Sequence, residues 1–115
     1  IGLFVVSIPN TVTNLGGYAF YNCTNLVSVN IPNSVTSIEY YTFGYCTSLP
    51  SIALPTSITS ISSGAFYQCR NLSSINIPNS VTSIGSYAFY DCDPLTSQAS
   101  NKVPSGVANT LGHLS

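Results

Sequence analysis

Charge is almost missing from this sequence: two basic and three acidic residues in 115, or 4%, where a soluble domain usually carries about a quarter. A net charge of −1 leaves no basic stripe for nucleic acid and nothing to hold the chain on an anionic membrane surface. Neither partner is expected. The three carboxylates, Glu39, Asp91 and Asp93, supply too few oxygens for calcium, although two of them bracket Cys92. The one histidine, His113, has no Cys, Ser or carboxylate at a spacing that suggests a triad. With no acid, base or nucleophile set, neither an enzyme nor a small-molecule substrate is expected, and catalytic, cofactor-binding and metal-ligating residues are read as none. Long apolar runs are missing too. No stretch approaches the ~20 residues of a membrane-spanning helix, so no membrane insertion is expected. The opening IGLFVV is too short for a signal peptide and lacks its basic start. Because there is no initiating Met and the chain opens inside a repeat, it reads as a processed chain or a piece of a longer array, with any targeting signal outside it.

What is present is a repeat. Ile8-Pro9, Ile31-Pro32, Leu54-Pro55 and Ile77-Pro78 fall 23 residues apart without a gap, and a fixed period in the twenties means stacked coils. The units are 8–30, 31–53, 54–76 and 77–99, after a partial copy over 1–7, so one solenoid domain is read over 1–99. Residues 100–115 match nothing and read as a tail, linker or weak cap. A hydrophobic content of 44% is ordinary, so a nearly uncharged surface must be built from Ser, Thr, Asn and Tyr.

Within a coil, Leu26, Val29 and Ile31 recur as Leu49, Ile52, Leu54 and as Leu72, Ile75, Ile77. The alternation over the last positions predicts one short strand per coil in a parallel sheet, ended by Pro, which cannot donate to the ladder. Ser28, Asn30, Ser51, Ala53, Ser74 and Asn76 then face outward. After the Pro, the apolar pairs Val12/Leu15, Val35/Ile38, Ile58/Ile61 and Val81/Ile84 predict a turn. The block around Phe20, Phe43, Phe66 and Phe89, with an inward set of Ala, Phe, Cys and Leu at offsets of one, four and seven, suits one or two helical or 3-10 turns on the opposite side. A lone unit cannot bury these side chains; full burial needs a neighbour on each side.

The strings LSSINIPNSVTSIGSYAF and IPNSVTSIGSYAFYDC resemble BspA-type leucine-rich repeats, whose pattern runs roughly L-x-x-I-x-I-P-x-x-V-x-x-I-G-x-x-A-F-x-x-C-x-x-L. The resemblance covers residues 3 to about 97. It implies a leucine-rich-repeat solenoid in an extracellular, secreted or cell-surface protein that binds host or matrix proteins, without catalysis. Glu39 and Ser62 stand where the pattern has Gly, and Thr42 replaces its Ala. Gln98 breaks the apolar file after Asp93-Pro94, which marks the end of the array.

Other features compete for a role. Cys23, Cys46, Cys69 and Cys92 recur once per coil; adjacent copies lie ~4.7 to 4.9 Å apart, within bonding range for Cα atoms, but their side chains point the same way in a file. Free thiols are the main reading, with one or two disulfides or a metal as alternatives; a file cannot surround a tetrahedral ion. Tyr18, Tyr21, Tyr40, Tyr41, Tyr67, Tyr87 and Tyr90 sit at outward offsets, either as a binding surface or as covers over the Phe file with hydroxyls in water. Thr13, Thr36, Thr59 and Thr82 form a hydroxyl file that suits an ice-binding face or, as the main reading, bonds to local backbone. Asn22-Cys23-Thr24 and Asn71-Leu72-Ser73 are formal glycosylation acceptors that overlap core positions.

The expectation is an adhesive or protein-binding module that contacts its partner through Ser28, Asn30, Ser51, Ala53, Ser74 and Asn76. A self-assembling solenoid, associating through the N-terminal rung of Leu3, Phe4, Val5, Val6 and Ile8, is the alternative. Ice binding is a distant third.

Overall fold

The computed structural model describes residues 2–92. Asp93-Pro94, Gln98, the boundary after 99 and the tail with His113 lie outside the described residues. Seven short strands follow one another: β1 (Phe4–Ser7), β2 (Leu26–Asn30), β3 (Ser37–Ile38), β4 (Ser51–Ala53), β5 (Ser60–Ile61), β6 (Ser74–Asn76) and β7 (Ser83–Ile84). Every pairing is parallel, and the partners Val6↔Val29, Ser60↔Ser83 and Ile52↔Ile75 are one repeat apart. The chain is a solenoid whose coils have three sides.

The first side carries the expected strands, paired as β1 with β2 and β4 with β6. Along β4 and β6 the middle isoleucine is buried and its two neighbours are exposed, as alternation requires. The second side corrects the sequence reading. Where a turn was expected, β3, β5 and β7 form a three-stranded sheet of their own. Each strand is a Ser-Ile pair, too short for alternation to register in the sequence. The pairing follows from the 23-residue spacing rather than from local strand preference. Before each of these strands a turn is closed by the proline carbonyl, as in Val35 N–H to Pro32 O at 3.2 Å and Val81 N–H to Pro78 O at 3.1 Å. Ser34, Ser57 and Ser80 each donate a hydroxyl to the previous coil's Val12, Val35 or Ile58 carbonyl at 2.6 Å.

The third side bears the Phe block, and no helix forms in it among the described residues. The expected turns are there as i to i+3 bonds, but only at alternate amides: Ala65 N–H to Ser62 O, Tyr67 N–H to Gly64 O and Cys69 N–H to Phe66 O. The amides between them cross to the next coil, Gly64 N–H to Ser86 O, Phe66 N–H to Ala88 O and Gln68 N–H to Tyr90 O. The coils containing Phe20 and Phe43 repeat the scheme. A helix would keep every amide within its own segment, and this zigzag satisfies both the turn and the stack. It requires left-handed backbone at Tyr18, Asn22, Tyr41, Tyr45, Gln68, Tyr87 and Asp91, with Gly64 at the same offset as Tyr18.

The core lies between the three sides. Phe20, Phe43, Phe66 and Phe89 stack as a column with each centroid step 5.4 Å and the rings within 6° of parallel. Phe43, Phe66 and Phe89 are fully buried, and so are Leu49, Leu72, Ile38, Ile58 and Val35. Phe20 is only partly covered, and Ile77 is half-buried where Ile31 and Leu54 are buried. Thr42, in place of the pattern's Ala, is fully buried and satisfies its hydroxyl on the Glu39 carbonyl at 2.9 Å. Gly85 is required by close approach: a Cβ there would lie 2.5 Å from the Ser63 amide nitrogen.

Phe66 has a ring on each side, whereas Phe20 has one on one side. Phe66→Ala therefore costs about 3 to 5 kcal/mol and Phe20→Ala roughly half as much, measured by urea unfolding; a larger loss at Phe20 would contradict the column.

Candidate functional site

The six strand-face residues are all exposed. Registers Ser51↔Ser74 and Ala53↔Asn76 bring four of them together across β4 and β6, while Ser28 and Asn30 lie on β2, beside Val5 and Ser7 of β1. Asn76 is partly committed to the fold, because its Oδ1 accepts the Leu54 amide at 3.3 Å. The face is short-chained and free of charge. It offers neighbouring hydroxyls and amides for hydrogen bonding.

All the tyrosines except Tyr40 form one connected band on the third side. Tyr18 stacks on Tyr41 at 5.4 Å and Tyr67 on Tyr90 at 4.9 Å, and edge contacts join Tyr21 to Tyr18 and Tyr45 to both Tyr21 and Tyr67. The rings do cover seams: Tyr41 lies where a Cβ on Gly64 would sit, at 2.4 Å, and Tyr21 does the same over Gly44 at 2.9 Å. Tyr45 belongs to the band and was missed from the sequence, because its copies at that offset are Asn22, Gln68 and Asp91. The left-handed backbone shared with those copies is the signal they have in common. Tyr18, Tyr41 and Tyr87 hold that conformation although it costs a non-glycine residue about 1 to 2 kcal/mol, and Gly64 shows that glycine fits the same offset. Partial desolvation, followed by the neighbouring phenols, raises the Tyr21 and Tyr67 pKa values.

The cysteines are free thiols, with Cys46, Cys69 and Cys92 buried and Cys23 half-buried. Each buried thiol donates to the phenylalanine carbonyl of the previous coil: Cys46 to Phe20 at 3.2 Å, Cys69 to Phe43 at 3.0 Å and Cys92 to Phe66 at 3.1 Å. They are structural donors. Burial, and then Cys23, pushes the Cys46 thiol up from its ordinary 9.0 to about 12, against a backbone hydrogen bond that lowers it. Cys69 is raised too, first by side-chain hydrogen bonding with Cys92 and then by burial.

Thr36, Thr59 and Thr82 directly precede β3, β5 and β7, so the threonine file borders a sheet rather than a turn as expected. The Thr59 and Thr82 hydroxyls donate to the Thr36 and Thr59 carbonyls, each at 3.2 Å, which is the backbone role. Glu39 accepts the Ser37 hydroxyl at 2.6 Å, and Asp91 pairs with Arg70 at 3.4 Å on the surface. Among the described residues no three His, Cys, Asp or Glu side chains are grouped to hold a metal, and no helix is long and apolar enough to cross a membrane.

A coil of short parallel strands with a Phe column and one Cys per turn has counterparts. Residues 3–108 match the family described as BspA type leucine rich repeat region, in six copies. The chain belongs to the BspA-type leucine-rich repeat family. It is similar to a leucine-rich repeat protein of T. pallidum, at 38% identity and a TM-score of 0.77 over 79% of this chain and 42% of that one. It is also similar to a leucine-rich cell surface protein of Faecalibacterium prausnitzii A2-165, at 38% identity and a TM-score of 0.78 over 79% of this chain and 24% of that one. A leucine-rich repeat protein of Bacteroides ovatus ATCC 8483 matches at 31% identity and a TM-score of 0.61, over 80% of this chain and 30% of the other. The chain thus spans less than half the length of each of these proteins. No match was found among curated proteins. Leucine-rich repeats of this kind generally serve as protein-interaction modules.

The thiol column gives a pH dependence whose sign follows from linkage. The unfolded chain releases Cys protons near pH 9 while folded Cys46 holds its proton to about 12, so the unfolded state binds fewer protons in that window and stability falls with rising pH. Below pH 9 this contribution is fully present. Thermal melts should give a midpoint that drops between pH 9 and 12. At pH 8, alkylation of the native chain should label Cys23 first and reach all four thiols in denaturant without reductant; fewer than three would mean disulfides.

Proposed function

We propose that this solenoid is a non-catalytic adhesion module of an extracellular or cell-surface protein, binding a host or matrix protein through Ser28, Asn30, Ser51, Ala53, Ser74 and Asn76. The observation that carries the reading is the exposed, uncharged strand face held in register by β4 and β6. Short side chains let a partner approach the sheet closely, and membership of a family of protein-interaction modules supports the reading, as does the cell-surface description of the Faecalibacterium relative. With so few charges, attachment should depend little on salt, since there are almost no ion pairs to screen.

A second reading rests on the rung of β1. Among the described residues β1 pairs with β2 alone, and Leu3, just before it, and Phe4 and Val5, on it, are 70%, 51% and 74% exposed. A parallel rung of this kind accepts another strand by addition, and another copy of the solenoid would also cover the open side of Phe20.

The two are separated by one set of variants. Ala53→Arg and Ser74→Arg, placed on exposed positions, should weaken capture by a panel of immobilised matrix proteins at least tenfold (~1.4 kcal/mol) with circular dichroism unchanged. Val6→Lys should leave capture intact and abolish any concentration-dependent growth in sedimentation. Capture that survives both arginines would remove the strand face from the account, and a wild-type chain that stays monomeric at high concentration would remove self-association.

A further inference from the structure

The tyrosine band runs without a break along the coils. From Tyr18 the rings pass to Tyr41 at 5.4 Å, to Tyr67 at 5.5 Å and to Tyr90 at 4.9 Å, with Tyr45 and Tyr87 branching from it. The binding role proposed above makes no use of this side. Phenols make up most of the oxidisable side chains that an oxidant can reach here, because three of the four thiols are buried and each of these donates to a carbonyl, which leaves half-buried Cys23 as the accessible thiol. Two phenoxyl radicals held side by side have a defined fate.

We propose that Tyr67 and Tyr90 are an oxidative cross-linking pair. Under a one-electron oxidant of the class of a peroxidase supplied with hydrogen peroxide, they join into a dityrosine that staples two adjacent coils. Each phenol gives one electron to the oxidant and one proton to water. The two radicals form a bond between the Cε carbons that flank the hydroxyls. The hydrogen on each of those carbons then leaves as a proton while the phenol oxygen takes one up, and both rings become aromatic again. In all, two electrons and two protons depart, and they turn one hydrogen peroxide into two waters.

The geometry selects this pair. Its centroid separation, 4.9 Å, is the shortest in the band, and its rings lie within 16° of parallel. Tyr90 is 37% exposed and Tyr67 half-buried, so an oxidant has access to one ring while the fold holds the other against it. Adjacent rings can also pass a radical along the band to this pair. Desolvation, and then the neighbouring phenols, raise the Tyr67 pKa, so the ring enters the oxidation as the neutral phenol.

The sequence supplies a direct assay. Its two basic residues are Arg70 and Lys102, and cleavage after Arg70 parts Tyr67 from Tyr90. Among the tyrosine pairs of the described residues, Tyr67–Tyr90 is the one that spans this point. After treatment of the full chain with peroxidase and hydrogen peroxide, the monomer should be lighter by two hydrogens and show dityrosine fluorescence. Denatured, reduced and cut with trypsin after Arg70 and Lys102, its fragments 1–70 and 71–102 should stay joined. Tyr67→Phe and Tyr90→Phe keep the ring stack but remove the phenol, and each should lower the joined product at least tenfold. Tyr40→Phe removes a phenol that is 58% exposed and makes no ring contact among the described residues, and should leave the yield unchanged. Fragments that separate, a link confined to covalent dimers, or Phe variants that match wild type within twofold would each overturn the proposal.

Discussion

The constraint on which this structure depends is that alternate amides on the aromatic side leave their own coil. Phe20, Phe43 and Phe66 each donate to the coil that follows, at 2.8, 2.9 and 2.8 Å, while the amides flanking them close turns within the coil. A segment bonded in this way has no complete hydrogen-bond set without a neighbour, and unpaired buried amides are costly. Stacking is therefore a condition of folding rather than a later step. The Phe column, the cysteine donors and the two sets of strands all inherit their spacing from it, because equivalent atoms in successive coils must sit one repeat apart.

The parts legible in the sequence are those governed by period. The repeat fixes which residues are inward, and Leu26, Val29, Ile52, Phe43, Phe66 and the cysteines lie where the 23-residue register puts them. The outward set on β4 and β6 follows from simple alternation. What the sequence hid is conformation that depends on partners. A Ser-Ile pair such as Ser60-Ile61 is too short to announce a strand and becomes one because Ser37-Ile38 and Ser83-Ile84 lie beside it. The Phe block carries the spacing of helical or 3-10 turns, and i to i+3 turns form there, but the division of its amides between two coils leaves no trace in the sequence. Tyr45 went unnoticed because only the left-handed backbone, invisible in the sequence, unites it with Asn22, Gln68 and Asp91.

The three sides differ in what they can offer. The strand side presents short hydroxyls and amides with little area per residue, which suits close approach of a large partner. The second side spends hydroxyls of Thr59 and Thr82 on the backbone of the neighbouring coil. The third side carries rings, and Tyr18, Tyr41 and Tyr87 make their ring contacts from a left-handed backbone that glycine adopts more easily. The scarcity of charge unites all three: long-range electrostatic steering is weak at this surface, so the proposed recognition rests on shape and short-range contact.

Native-state hydrogen exchange tests the central claim most directly. If no coil stands without its neighbours, the amides bonded within a coil, Thr42 and Ala65, must open with the same free energy as the amides that cross, Phe43 and Phe66. All four should exchange only through unfolding of the stack, while Tyr18 and Phe20 in the first coil open earlier by fraying. Protection of Thr42 and Ala65 that persists after Phe43 and Phe66 have exchanged would show turns that are stable alone, and would contradict the account.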